Sequence, residues 1–224
     1  MAILDLVFPR KCLNCGKDGS YLCAKCTDNI KELLQICPVC ERFSISGKTH
    51  ARCTSFISCN GLFSVWPYKG VIRKALIALK YKFAYEIAQE ISNNLTRKLS
   101  KTFFINLKNP ILIPIPLHTL RKNWRGFNQT EVMGKIIAER FNWRFEPGFL
   151  VRRKIISPQT GLGKMERKEN VKGVFGINNK ILNSKHATLI LFDDVWTTGS
   201  TIKETAAIIK RNYQNPVWSL TVAR

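Results

Sequence analysis

The chain has 224 residues, 45% of them hydrophobic, with a formal net charge of +21 at pH 7. That is enough for one sizeable core and a small appended module, and no run of about 18 apolar residues exists to cross a membrane. The opening MAILDLVFPRKC has an acidic residue inside its short apolar stretch and no basic region before it, so the expectation is a soluble, cytoplasmic protein without membrane insertion. The charge is uneven: residues 1–60 carry 8 Lys+Arg against 5 acids, and residues 61–224 carry 28 against 10. A field of that sign attracts phosphate, on a small metabolite or along a nucleic acid.

All eight cysteines fall between Cys12 and Cys59, which divides the chain into a module of residues 1–60 and a domain of residues 61–224. Three pairs have CxxC spacing, Cys12/Cys15, Cys23/Cys26 and Cys37/Cys40, and HARC repeats it with His50 and Cys53. Two ligands three residues apart in a tight knuckle both point at one tetrahedral Zn²⁺, and two knuckles complete its coordination. Four knuckles therefore predict about two zinc ions, most simply held by Cys12/Cys15/Cys23/Cys26 and by Cys37/Cys40/His50/Cys53. Spacing alone leaves pairing between alternate knuckles open. With every position filled by protein the zinc is structural, and a segment this poor in large apolar side chains depends on it to fold. Cys59 is left without a role.

In the larger domain Ile72, Leu76, Leu79, Phe83, Ile87, Ile91, Leu95 and Leu99 recur every three or four residues, as one helical face. PILIPIP, from Pro110 to Pro116, reads as a strand, and a helix from about Gln129 to Phe141 turns Val132, Ile136 and Phe141 inward. HATLILF, from His186 to Phe192, is a second strand, followed by a helix from Thr201 to about Asn212 and a last strand, VWSLTVA. Strands alternating with helices, in uninterrupted apolar runs, predict an α/β fold with a parallel sheet covered on both faces.

In such a sheet ligands sit beyond the carboxyl ends of the strands, where Asp193 and Asp194 fall. TTGST, from Thr197 to Thr201, adds hydroxyls and backbone N–H groups at a helix N-terminus, which favours an anion, and Gly199 lets the backbone approach closely. Two carboxylates beside an anion site fit a sugar phosphate: the loop takes the phosphate, the acids take ribose hydroxyls or Mg²⁺. Neither GxxxxGK[ST] nor GxGxxG is present.

LILFDDVWTTGST resembles the ribose-phosphate loop of the type I phosphoribosyltransferases. IPIPLHTLRKNWRGFNQ, SPQTGLGKMERKENVKGVF and the terminal TVAR resemble the ComF branch, competence-associated proteins with an N-terminal double zinc ribbon. The resemblance runs from Cys12 to Arg224. It implies a type I phosphoribosyltransferase-like domain in which Asp193 and Asp194 contact the ribose of 5-phosphoribosyl-1-pyrophosphate (PRPP), with Mg²⁺. Thr197, Thr198, Gly199, Ser200 and Thr201 then hold the 5-phosphate. Leu117, His118 and Arg121 stand where the family has its pyrophosphate loop. Two positions depart from the pattern: Trp196, where the family is often less bulky, and His50, where a cysteine is usual.

The segment from Arg152 to Lys172 has seven Lys+Arg against two Glu and is broken by Gly and Pro, too polar for a core element. By the resemblance it is a hood that closes over the site. Its Arg152, Arg153, Lys154, Lys164, Arg167 and Lys168 serve a nucleic-acid backbone equally well.

Two functions follow. One is a transferase that displaces pyrophosphate from PRPP by an unidentified nitrogen nucleophile, with Arg121, Lys122 and Arg125 neutralising the leaving group. The other is a binding protein for PRPP or a related ribose phosphate that handles single-stranded DNA during uptake. Trp124, Phe127, Trp143 and Phe145 lie among basic residues there, as bases' stacking partners do. The ribbon then offers a docking site for a helicase-like partner of the uptake machinery.

Overall fold

The computed structural model describes residues 9–79, 84–117, 126–152, 173–178 and 186–224. In chain order its elements are α1 (Ala24–Asp28), β1 (Gly61–Trp66), α2 (Gly70–Ala78), α3 (Ala84–Leu99), β2 (Pro110–Pro114), α4 (Gln129–Phe141), β3 (Arg144–Phe145), β4 (Leu150–Arg152), β5 (Phe175–Ile177), β6 (Thr188–Val195), α5 (Ser200–Asn212) and β7 (Val217–Ala223). Five strands form one parallel sheet in the order β1-β7-β6-β2-β3, while β4 and β5 make a separate antiparallel ribbon. The α/β architecture with a covered parallel sheet is as expected. No helix among the described residues is long and apolar enough to cross a membrane.

The apolar runs reflect burial on both sides, and strand alternation sorts them. Leu112, Ile190, Phe192, Leu220 and Val222 pack with Ile72, Ile91, Leu95, Met133 and Ile137 from α2, α3 and α4. Ile111, Ile113, Leu189, Leu191 and Val217 pack with Ile202, Ala206 and Ile209 of α5 and with Phe175 and Ile177 of β5. Adjacent residues of β6 therefore serve opposite layers, which becomes decisive at its carboxyl end.

Several expectations change in detail. The helical face read from residue 71 to 99 belongs to two helices, α2 and α3, and Phe83 lies outside the described residues. The inner stripe of α4 is Met133, Gly134, Ile137 and Ala138, whereas Val132, Ile136 and Phe141 are only half-buried at its flank. Trp143 is 8% exposed and stacks on Phe141, ring centroids 5.0 Å apart. Phe145 also packs against the core, and Phe127 is half-buried. Trp143 is thus committed to packing and offers no platform for a base; Trp124 lies outside the described residues. Cys59 is a core thiol, 3% exposed, which burial pushes up to about 11.

The cysteine-rich segment covers the outer edge of β1. Gln35 completes two backbone bonds there: its Nε2 donates to the Ser64 carbonyl at 3.0 Å, and its Oε1 accepts from the Ser64 N–H at 2.9 Å. Arg224 donates from Nη2 to the Leu34 carbonyl at 2.7 Å, tying the chain's last residue to the same segment. An edge strand with unpaired backbone groups invites foreign pairing, and this amide contact occupies it.

Candidate functional site

Each metal cluster is built by two knuckles that are consecutive in sequence, which settles the pairing that spacing left open. The ligand atoms of Cys12, Cys15, Cys23 and Cys26 all lie within 4.8 Å of one another, as do those of Cys37, Cys40, His50 and Cys53. Cys15 Sγ is 3.6 Å from Cys23 Sγ, and Cys40 Sγ is 3.4 Å from His50 Nδ1. Tetrahedral Zn²⁺ with Zn–S of about 2.3 Å and Zn–N of about 2.0–2.1 Å needs separations of this size. His50 turns Nδ1 toward Cys40 and Nε2 toward the Phe43 carbonyl at 3.0 Å. With Nδ1 on the metal, Nε2 carries the proton and donates it to that carbonyl, so imidazole replaces a thiolate without losing its orientation. Burial pushes the Cys12 thiol up, but backbone hydrogen bonds from Cys15, Cys23 and Asn14 prevail and bring it down to about 6, toward the thiolate a metal takes.

The second site is at the carboxyl edge of the sheet. From β2 the chain passes through α4 to β3 on one side, and from β6 through α5 to β7 on the other, so the strand order reverses between β2 and β6. A crevice opens at such a switch point. Asp193 and Asp194 lie near the carboxyl end of β6, just past the Pro114–Phe192 register pair, and alternation sends them to opposite layers. Asp194 accepts a hydrogen bond from Gln129 Nε2, at the start of α4, at 3.1 Å. Asp193 accepts one from the Asp194 N–H at 2.8 Å. Burial, and after it the charge of Asp194, push the Asp193 carboxyl well above the usual carboxylate range. The pair resists carrying two negative charges until a cation or hydroxyl donors reach it.

The stretch from Thr197 to Thr201 runs into the first turn of α5, whose N-cap Gly199 offers no side chain, and Thr198 Oγ1 accepts from the Ser200 N–H at 3.4 Å. The leading N–H groups of the helix are those an anion accepts from. Thr198 Oγ1 and Ser200 Oγ lie 2.7 Å apart, and Asp193, Trp196 and the loop residues line a shallow depression. Gly199 has φ 68°, and a Cβ there would be driven into the indole of Trp196. Trp196 is 3% exposed and forms the floor beneath the loop, so its bulk replaces the space that Gly199 vacates.

The structure thus brings Asp193, Asp194, Thr197, Thr198, Gly199, Ser200 and Thr201 together. Leu117 follows β2 at the same edge, while His118, Arg121, Lys122 and Arg125 lie outside the described residues. Arg152 closes β4 with its guanidinium 5.4 Å from the centroid of the Phe175 ring, so the start of the basic segment is a strand and not a loop. Arg153, Lys154, Lys164, Arg167 and Lys168 are outside the described residues.

The sequence reading missed the other wall of the crevice. Asn128 Oδ1 accepts from the Thr130 N–H at 3.2 Å, and Asn128 Nδ2 donates to the Ile115 carbonyl at 3.2 Å and to Glu131 Oε1 at 3.1 Å. These bonds pin the start of α4 to the end of β2 and present Gln129 to Asp194. The signal was an Asn followed three residues on by Glu, a helix-start pattern.

Residues 3–55 match the double zinc ribbon domain family. The chain is 24% identical over 218 residues to competence protein F of Haemophilus influenzae, covering 91% of this chain and 92% of that one. It is 23% identical over 219 residues to competence protein ComFC of Bacillus subtilis, covering 93% of this chain and 86% of the relative. Over most of its length the chain is similar to these competence proteins. Another relative is the DNA utilization protein YhgH of Escherichia coli O6:H1, 27% identical over 197 residues, 79% of this chain and 85% of that one. Among solved structures, an adenine phosphoribosyltransferase from Leishmania donovani aligns with a TM-score of 0.37 and 17% identity, over 61% of this chain and 52% of that one.

Proposed function

We propose that this ComF-like protein binds PRPP or a related ribose phosphate with Mg²⁺ at the β2–β6 switch point and handles single-stranded DNA in the cytoplasm. The division of labour is a ribbon module of residues 1–60 on a phosphoribosyltransferase-like domain of residues 61–224. One observation carries the reading: two carboxylates, one raised toward its protonated form, stand beside a helix start with a glycine N-cap and five small or hydroxyl residues. An anion-only site gains nothing from acids, whereas ribose hydroxyls and a divalent cation use them. Asp193 and Asp194 would hold Mg²⁺ or the ribose, and residues 197–201 the phosphate. When bound, Mg²⁺ neutralises pyrophosphate oxygens. The chain's part is to orient the sugar: Gln129 fixes Asp194, Trp196 supports the loop, and α5 directs its N–H groups outward.

The DNA part is supported by the excess of basic residues in 61–224 and by the names of the competence and DNA-utilization relatives. A partner of the uptake machinery has exposed apolar residues to meet on the ribbon, Leu34, Phe43, Ile45 and Phe56. Around Asp193–Thr201 the described residues line a shallow depression. Binding, not turnover, is the reading proposed.

The test is a paired titration of the wild type and an Asp193→Ala/Asp194→Ala variant that keeps its zinc, with PRPP/Mg²⁺ and separately with short single-stranded DNA. PRPP binding weakens by about 2 kcal/mol or more, since each charge-assisted hydrogen bond contributes about 1.5–3. DNA binding holds or strengthens, with a log–log salt slope of about −0.7 per phosphate contacted. Unchanged PRPP binding in the variant would overturn the sugar-phosphate site, and salt-independent DNA binding the nucleic-acid role.

A further inference from the structure

Glu41 follows Cys40 directly, in the turn of the knuckle that carries Cys37 and Cys40. That turn holds it at φ 60°, with its N–H donating to the Cys37 carbonyl at 2.9 Å. From there its carboxylate reaches Lys203 Nζ at 3.0 Å, joining residues 162 positions apart. The same ammonium donates to the Thr198 carbonyl at 3.4 Å and lies 5.3 Å from the centroid of the Trp196 ring. Lys203 sits in the first turn of α5, its own N–H bonded to the Gly199 carbonyl at 2.8 Å. One lysine therefore touches the loop's floor, its backbone and the helix it feeds, and an acid set by a knuckle of the second metal cluster holds that lysine.

We propose that Glu41 and Lys203 are positioning residues for the sugar-phosphate loop, and that they couple its ligand affinity to metal occupancy of the Cys37/Cys40/His50/Cys53 cluster. The proposal rests on the reading of Thr197–Thr201 as a phosphate loop.

The physical grounds are three. A lysine on a flexible four-carbon stem has many rotamers, and it stays over Trp196 and Thr198 because a fixed carboxylate meets it. Glu41 is fixed because a metal on Cys37 and Cys40 closes the knuckle that sets its left-handed backbone; released, the knuckle no longer specifies where that carboxylate points. The ion pair is partly exposed, 33% for Lys203 and 49% for Glu41, so it adds little to global stability. What it changes is where the loop and its neighbouring cation stand when a phosphate arrives. Linkage then makes the effect reciprocal: a ligand favoured by the braced loop raises metal affinity at the second cluster by the same factor.

The experiment uses the full chain with both zinc ions, as wild type, E41Q, K203M and E41Q/K203M, and ribose 5-phosphate as the probe. In calorimetric titration E41Q weakens ribose 5-phosphate about threefold to fivefold while retaining two zinc ions and an unchanged melting temperature, the size expected for a partly exposed ion pair. K203M weakens it more, and the double variant no further than K203M, because the glutamate acts through the lysine. In equilibrium competition with a chromogenic chelator, saturating ribose 5-phosphate raises the affinity of one of the two zinc ions in the wild type, and this protection is absent in E41Q. A merely structural ion pair would shift zinc affinity alike with and without ligand. Equal ribose 5-phosphate affinity in wild type and E41Q, or zinc protection that persists in E41Q, overturns the brace while leaving the phosphate loop standing. A wild type that does not bind ribose 5-phosphate overturns both.

Discussion

The cysteine-rich segment and the sheet are held together by opposite means. Among the described residues of the segment half of the buried apolar side chains are ligands themselves, Cys12, Cys23 and Cys37, beside Leu22, Ile36 and Cys59, while Phe43, Ile45 and Phe56 face outward. Its shape depends on eight metal-binding atoms in two clusters. The sheet carries two continuous apolar layers, with Phe192, Leu112, Ile190 and Leu220 wholly buried. A region that folds by coordination can spend its side chains on surface, whereas a region that folds by burial admits polar groups inside mostly where they pair, as Ser64 and Thr221 do at 2.8 Å, and keeps its charged groups at the edges. The candidate site lies at such an edge, and the coordinated region reaches it through Glu41.

The largest expected effect sharpens that contrast. Chelation of both zinc ions should unfold residues 12–53 and leave the β6–β7 core protected, because structural zinc contributes about 10 kcal/mol or more to folding a small module. Hydrogen exchange measured segment by segment checks this, after elemental analysis has given about two zinc ions per chain. Amides between Cys12 and Cys53 that stay protected without metal would mean that the segment folds by burial after all.

A smaller effect is expected where the sheet meets the site. Gly199→Ala places a Cβ against Trp196 at a positive φ, so either the indole leaves its buried seat or the loop moves. Denaturant unfolding should show a loss of about 2 kcal/mol, combining overpacking with a left-handed backbone. Ribose 5-phosphate binding should fall more than stability does, since the loop is what shifts. Equal stability and binding in the variant would show that Trp196 does not support the loop.

The smallest effect has the opposite sign. Asp193 holds its proton more tightly folded than unfolded, so its contribution to stability is full below the unfolded value of about 3.9 and is lost as pH rises toward its raised folded value. Asp193→Asn stays neutral throughout and still offers an oxygen to the Asp194 N–H. The unliganded variant should therefore be more stable than wild type at pH 7, by about 1 kcal/mol, with no gain near pH 3. Thermal unfolding at the two pH values decides it, and a variant less stable at pH 7 would show that the carboxylate is accommodated.

The features legible in the sequence were those encoded within a few residues. CxxC spacing named all eight metal ligands, because two ligands of one knuckle must be close in the chain. Uninterrupted apolar runs and helical spacing gave β2, β6, β7, α4 and α5 nearly to their ends, and DDVWTTGST marked the strand end and helix start at the candidate site. What escaped was decided by contacts between distant segments. β1, from Gly61 to Trp66, carries no strong pattern of its own and becomes a strand by pairing with β7 on one side and Gln35 on the other. Trp143 looked like a base platform because its neighbours are basic, yet Phe141 and the core claim it. Gln129 reaches Asp194 across 65 positions and Glu41 reaches Lys203 across 162. Periodicity and spacing report the local chain, whereas which carboxylate is held, which is desolvated and which lysine is braced depend on the order of strands in the sheet, and only the folded chain sets that order.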